Sequence, residues 1–127
     1  MKKELQDKIF SKYPKIFKQK DLPMTQTAMC WGLDCGDGWF DIIDRLCDAI
    51  QSYTDNNQKS QVEAIQVKEK YGCLEFYTDN SDDYIQGMIA LARNISQYTC
   101  EECGSKGELY EKNYWWRVRC ENCKKNV

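Results

Sequence analysis

The stretch that decides the fold of the last part of the chain is Cys100-Glu-Glu-Cys103, followed further along by Cys120-Glu-Asn-Cys123. A Cys-x-x-Cys pair lets two thiolates reach one ion from a single tight turn, and two such pairs supply the four sulfurs of a tetrahedral site. Residues 104–119 separate the pairs, a gap typical of paired zinc-binding knuckles. The spacing predicts a zinc ribbon that holds one structural Zn²⁺.

The predicted zinc site is closed, which bears on what the metal can do. Four thiolates leave no open coordination position, so this zinc is not expected to activate water. Two other interpretations of the four cysteines remain, namely free thiols and a pair of disulfides. The absence of histidine from the chain also removes the commonest general acid or base and the usual activator of a nucleophilic cysteine.

Size and charge limit the remaining possibilities. A chain of 127 residues fits one modest core with a small appended module, and we place an α+β core at 1–98 and the zinc-ribbon module at 99–127. The 18 basic and 20 acidic residues nearly cancel, which argues against a protein that binds mainly through phosphate contacts. No apolar run approaches the roughly 20 residues of a membrane span, and the first residues do not resemble a signal peptide. A cytoplasmic location is therefore expected, where cysteines serve as thiols or metal ligands.

Hydrophobic periodicity predicts an α+β fold in which helices pack on a small β-hairpin sheet. Helices are predicted over 2–13, 39–53 and 83–97, with a long irregular segment at 18–34 that we expect to pack. Asp37 is predicted to cap the second helix, and Asp79-Asn-Ser-Asp82 to start the third. Two runs rich in β-branched and aromatic residues, 62–71 and 74–78, predict a hairpin that turns at Gly72-Cys73.

The segment Trp31-Gly-Leu-Asp-Cys-Gly-Asp-Gly-Trp-Phe40 is the most unusual part of the sequence. Its glycines permit tight curvature, and backbone amides at a helix start can receive an anion. One hypothesis is a ligand or partner site built from Trp31, Asp37, Gly38 and Trp39. The alternative is a turn held together by its own cap and aromatic side chains, with no binding role.

The ribbon carries two further candidates for partner contact, Trp115 and Trp116. Zinc ribbons can present aromatic side chains to a partner, and both tryptophans are therefore candidate binding residues. We also expect one of them to pack on the helix that ends near Tyr98, so that the ribbon docks on the core.

The other acidic and sulfur residues leave two possibilities open. Cys47 lies on an apolar helix stripe and is interpreted as a core thiol. A second metal site could draw on some of four scattered cysteines, although their spacing matches no common ligand pattern: Cys30, Cys35, Cys47 and Cys73. Asp37 and Asp41 could serve a metal-dependent enzyme, but the sequence favours a protein without catalytic activity.

Several motifs together resemble a family of small proteins encoded by bacteriophages and prophages. They are Tyr13-Pro-Lys-Ile-Phe17, Cys35-Gly-Asp-Gly-Trp-Phe40, Gln66-Val-Lys-Glu-Lys-Tyr-Gly72 and Thr99-Cys-Glu-Glu-Cys-Gly104. The resemblance implies an accessory protein in a host bacterial cytoplasm that inhibits a host or defence factor, by binding a protein or sequestering a nucleotide signal. Alternatives from other classes are a nucleic-acid-binding regulator that uses the ribbon and a metal-dependent enzyme.

Overall fold

A computed structural model describes residues 1–125 and shows an α+β protein. The helices are α1 (Lys3–Lys12), α2 (Phe40–Asn56), α3 (Asp83–Ser96) and the short α4 (Glu121–Lys124). The strands are β1 (Leu33–Asp34), β2 (Glu63–Lys70), β3 (Cys73–Asp79), β4 (Glu108–Lys112) and β5 (Trp115–Arg119). Three short 3₁₀ turns lie at Lys18–Asp21, Met29–Trp31 and Asp37–Trp39.

Two small sheets organise the chain. The first has the order β1-β2-β3, with β1 parallel and β3 antiparallel to β2. The second is the antiparallel pair β4-β5, which lies between the two cysteine pairs. The predicted fold class is therefore confirmed, with a cysteine-flanked hairpin at the carboxy-terminal end.

The β2-β3 hairpin turns one residue earlier than predicted. Lys70 pairs with Cys73, so the two turn residues are Tyr71 and Gly72, with φ angles of 52° and 80°. Two positive φ angles match the type I′ turn, whose twist suits a two-residue hairpin. Cys73 is thus the first residue of β3 and lies in the sheet.

The core lies between the three-stranded sheet and one face of each long helix. From α2 it receives Ile43, Leu46, Cys47 and Ile50, and from the strands Val67, Leu74 and Phe76, all buried. The apolar stripe of α3 contributes Ile85, Ile89 and Ala92, whereas its last member, Ile95, is exposed. Cys47 is fully buried, as its position on the stripe predicted.

The predicted caps have different outcomes. The Asp82 side chain accepts a 2.9 Å hydrogen bond from the amide of Ile85 and caps α3, as predicted. The prediction that Asp37 caps α2 is wrong. The amide of Phe40 donates to the main-chain carbonyl of Asp37, because a 3₁₀ turn leads directly into the helix. The Asp37 carboxylate instead accepts a 2.8 Å hydrogen bond from the amide of Lys2.

The irregular segment packs through only part of its length. Met29 is fully buried, whereas Trp31 is 64% exposed. Within residues 1–125, no helix combines the length and the apolar character that a membrane crossing requires.

Candidate metal centre

The four cysteines of the two pairs converge at one point. The sulfur atoms of Cys100, Cys103, Cys120 and Cys123 all lie within 4.8 Å of one another, and the Cys103 and Cys120 sulfurs are 3.6 Å apart. A tetrahedral zinc site with Zn–S bonds of about 2.3 Å places its sulfurs about 3.8 Å apart. The cluster could therefore hold one metal ion.

Hydrogen bonds donated by main-chain amides shape the turn at each cysteine pair. The amide of Gly104 donates to the carbonyl of Cys100 at 2.9 Å, and Gly104 has a φ of 84° that favours glycine. In the second pair, the amide of Cys123 approaches the Cys120 sulfur at 3.4 Å. Both turns present their sulfurs to the same point, which is the geometry of two metal-binding knuckles.

The electrostatics of the cluster also suit a cation. Cys100 and Cys123 are buried, Cys120 is half-buried and Cys103 is exposed. Hydrogen bonding by Ser105 lowers the pKa of Cys103 to about 6, while a hydrogen bond shared with Cys120 raises the pKa of Cys123. Burial and the negative charge of Cys100 add to the raised pKa of Cys123, because adjacent thiolates repel each other. A divalent cation relieves this repulsion, since metal-bound cysteine is a thiolate.

Glu101, between the first two cysteines, joins the cluster to the core. Its carbonyl accepts a 2.7 Å hydrogen bond from the amide of Gly38, and its carboxylate accepts a 2.8 Å hydrogen bond from the amide of Gly36. Its side chain is only 12% exposed and lies 3.5 Å from the guanidinium of Arg119. The cysteine cluster is thus bound to the turn that precedes α2.

The glycines of that turn are required by the close approach. A Cβ added at Gly38 would overlap the Cys100 carbonyl oxygen and the Gly104 amide, both main-chain atoms. A Cβ at Gly36 would overlap the main chain of Glu101. Beside them, the indole of fully buried Trp39 donates a 2.9 Å hydrogen bond to the carbonyl of Thr99. The second half of the unusual segment, residues 36–39, therefore contacts the cysteine module.

The ribbon docks on the core, but the tryptophans do not provide the buried contact. Val118 of β5 is fully buried, and Leu109, its partner on β4, lies against Gly72. The prediction that Trp115 or Trp116 is buried at this contact is wrong, because they are 61% and 40% exposed. Side chains alternate along a strand, so Trp116 shares a face with Val118 but lies two residues farther toward the hairpin tip.

The predicted binding segment does not form one surface. Trp39 is inside the core, Trp31 is exposed, and the Asp37 carboxylate is held by the amide of Lys2. Gly38 is covered by the cysteine module. A ligand site that combines these residues at the surface is therefore not what the structure presents. The turn is held by contacts with Lys2, Thr99 and Glu101 and not by a cap of its own.

The other cysteines and acids are not brought into a second cluster. In the described part of the chain, the only group of three or more potential metal ligands is the four-cysteine set. Burial raises the pKa of Cys35 to about 12 and also raises that of Cys47, so both are neutral core thiols. Asp41 lies in a groove between α2 and α3 that is otherwise mostly apolar.

Sequence reasoning missed a cleft of about 400 Å³ beside the ribbon. The end of β2 and its turn form one wall, and the tip of the β4-β5 hairpin forms the other. The cleft is lined by Lys68, Glu69, Lys70, Tyr71, Tyr114, Trp115 and Trp116. Lys68 and Lys70 are two positions apart on β2, and this spacing could have indicated two lysines on one face of the strand. The sequence did not show that the ribbon lies opposite these lysines.

Comparisons with protein-family models, curated proteins and solved structures yield no match to this chain.

Proposed function

We propose that this is a zinc-binding protein whose metal is structural and which acts by binding another molecule, without catalysis of its own. The observation that carries the proposal is the closed set of four cysteine sulfurs within 4.8 Å of one another. Cysteine-only coordination selects a soft or borderline ion such as Zn²⁺ over Mg²⁺ or Ca²⁺. With four protein ligands, zinc has no position left for substrate or water.

The position of the cluster supports a structural role. The knuckle of Cys100 and Cys103 is hydrogen-bonded to the core through Glu101, and the second knuckle begins immediately after β5. The metal would thus fix both ends of the β4-β5 hairpin relative to the core. Without it, the few apolar contacts at Val118 and Leu109 would have to hold the hairpin alone.

The exposed aromatic side chains support binding as the activity. Tyr71, Tyr114, Trp115 and Trp116 are 74%, 95%, 61% and 40% exposed and line one cleft. Exposed apolar surface that is concentrated in one place marks interaction sites more often than scattered residues do. We propose that the target is a macromolecule in a bacterial cytoplasm and that binding inhibits a host factor, in keeping with the resemblance to phage-encoded proteins.

Metal analysis tests the structural role. We expect the purified protein to contain one zinc per chain, and hydrogen exchange in residues 99–125 to accelerate after removal of the metal with a chelator. Exchange in α2 and β2-β3 should change much less, because their apolar faces pack within the core. Zinc should restore protection, whereas magnesium should not. A metal-free protein with full protection in residues 99–125 would contradict the proposal.

A further inference from the structure

The cleft beside the ribbon continues into a second hollow. Lys68 and Lys70 line both, so the two lysines lie along a single groove. The second hollow is about 640 Å³ and is lined in part by three amide side chains, Gln19, Gln26 and Gln66, and by the exposed ring of Tyr77. The groove therefore has aromatic rings at both ends and lysines where the hollows join.

Two lysines and two carboxylates line this groove, Lys68 and Lys70 together with Glu69 and Asp79. In residues 1–125, neither Lys68 nor Lys70 belongs to an ion pair of the structure. The carboxylates near the lysines interact with other groups of the protein, and Asp79 lies 3.5 Å from the amide nitrogen of the Gln19 side chain. Glu69 accepts a 2.7 Å hydrogen bond from the amide of Gly72, and Glu75 pairs with Arg93 at 2.8 Å.

The aromatic wall of the cleft, formed by Tyr114, Trp115 and Trp116, lies beside a positive charge. The guanidinium of Arg117 lies 6.0 Å from the centre of the Trp115 ring, within the range of a cation–π contact. The Trp115 ring, which is exposed and contacts a cation, suits a ligand that offers both a flat π surface and negative charge. A protein partner with an apolar face would have to bury two unpaired ammonium groups, which is costly.

We propose that this groove, from Tyr114 and the two ribbon tryptophans past Lys70 and Lys68, binds single-stranded nucleic acid. The inference rests on the proposed binding function and names the class of partner. Unpaired bases stack on the rings of Trp115, Trp116 and Tyr71, and the lysines contact the phosphates between them. A duplex hides its base faces inside the helix, so it cannot use the aromatic wall in the same way.

The test is fluorescence anisotropy with zinc-loaded protein and a 5′-labelled oligothymidylate of about ten nucleotides, within the usual site size of such grooves. Trp115→Ala and Trp116→Ala should each weaken binding by roughly 5- to 100-fold, since each removes a stacking ring. Trp115→Phe should retain most of the affinity. The matched control is Trp31→Ala, because Trp31 is exposed to almost the same extent as Trp115 but lies outside the groove.

A second set of variants tests the charges. If Lys68 and Lys70 each contact one phosphate, log K should fall against log salt concentration with a slope of about −1.4 from these two residues. Lys68→Glu with Lys70→Glu should remove that share of the slope and most of the affinity. Lys8→Glu is the control, since Lys8 is an exposed lysine of α1 that lines neither hollow.

The outcomes separate this inference from the proposed function. Folded, zinc-loaded protein that fails to bind the oligonucleotide at low salt overturns the inference and leaves the structural zinc intact. Equal affinity for the annealed duplex, or unchanged binding in the tryptophan and lysine variants, also overturns it. A protein that contains no zinc contradicts the proposed function itself. A protein ligand that binds the same face, when no oligonucleotide binds, assigns the groove to the other class of partner and overturns the inference.

Discussion

The amide of Gly38 donates a 2.7 Å hydrogen bond to the carbonyl of Glu101, which places the turn before α2 directly on the first cysteine knuckle. The carboxylate of the same glutamate accepts the amide of Gly36. Glu101 thus satisfies two amides of the core while its neighbours Cys100 and Cys103 supply sulfurs to the cluster. The docking of the ribbon and the position of the cysteine cluster are therefore linked through one residue.

Substitution of Gly38 tests that link by steric means. A Cβ at this position would meet main-chain atoms of Cys100 and Gly104, which cannot rotate away. Gly38→Ala should therefore lower the free energy of unfolding by about 1–3 kcal/mol, the usual cost of overpacking, and weaken zinc retention. Gly87→Ala is the control, because nothing lies within 4 Å of its added Cβ and helix propensity should make it stabilising by about 0.5–1 kcal/mol. Urea unfolding measures both, and equal effects would show that Gly38 is not in close contact.

Loss of one sulfur ligand should release the ribbon but leave the core folded. Cys100→Ser should abolish stoichiometric zinc and accelerate hydrogen exchange after Thr99, since three sulfurs hold the ion far less tightly. Cys30→Ser is the matched control, because Cys30 lies outside the cluster and donates only a weak hydrogen bond to the Thr27 carbonyl. Elemental analysis and exchange mass spectrometry give the result. Full zinc content in Cys100→Ser would show that this cysteine is not a ligand.

The indole of Trp39 holds the core and the ribbon together at a second point. Trp39→Phe removes the hydrogen bond to the Thr99 carbonyl and leaves a small void in a site that is 0% exposed. We expect a cost of about 1–3 kcal/mol, because the carbonyl loses its partner in a buried place. Trp31→Phe should change the free energy of unfolding by less than about 0.5 kcal/mol, as for other exposed positions. Calorimetry or urea titration distinguishes the two, and similar melting curves would argue against burial of Trp39.

The contact between α1 and α2 predicts a dependence of stability on pH. Burial opposes the charge on Asp44, but hydrogen bonds from Tyr13 at 2.7 Å and from Lys12 at 3.1 Å outweigh it and lower the pKa of the carboxyl. The hydrogen bonds to the ionised Asp44 therefore contribute fully to the free energy of unfolding above the ordinary pKa of an aspartate, near 3.8. This contribution is lost as the pH falls through the lower pKa of Asp44 in the folded state.

The variant Tyr13→Phe isolates this contribution. It should cost about 1.5–3 kcal/mol near neutral pH, as for other hydrogen bonds to charged groups, and less in acid. Urea midpoints measured from pH 7 to pH 2 for both proteins check the sign. A difference that grows as the pH falls would contradict the assigned direction of the pKa shift.

Features that depend on nearby residues could be predicted from the sequence. The two Cys-x-x-Cys pairs predicted the four cysteines that the structure brings together, because each knuckle is formed within four residues. The apolar stripe of α2 predicted its buried face, and Asp82 predicted the start of α3, since a cap acts on an amide three residues away. The β2-β3 hairpin was predicted within one residue.

The tertiary structure decided which surfaces meet, and thereby the role of each aromatic residue. Gly36 and Glu101 are 65 positions apart, so no local pattern could show that the turn before α2 receives the cysteine knuckle. The sequence has tryptophans at 31, 39, 115 and 116, yet only Trp39 is buried. Burial depends on the space that distant segments leave between them, whereas each cysteine pair is formed by residues within one short turn.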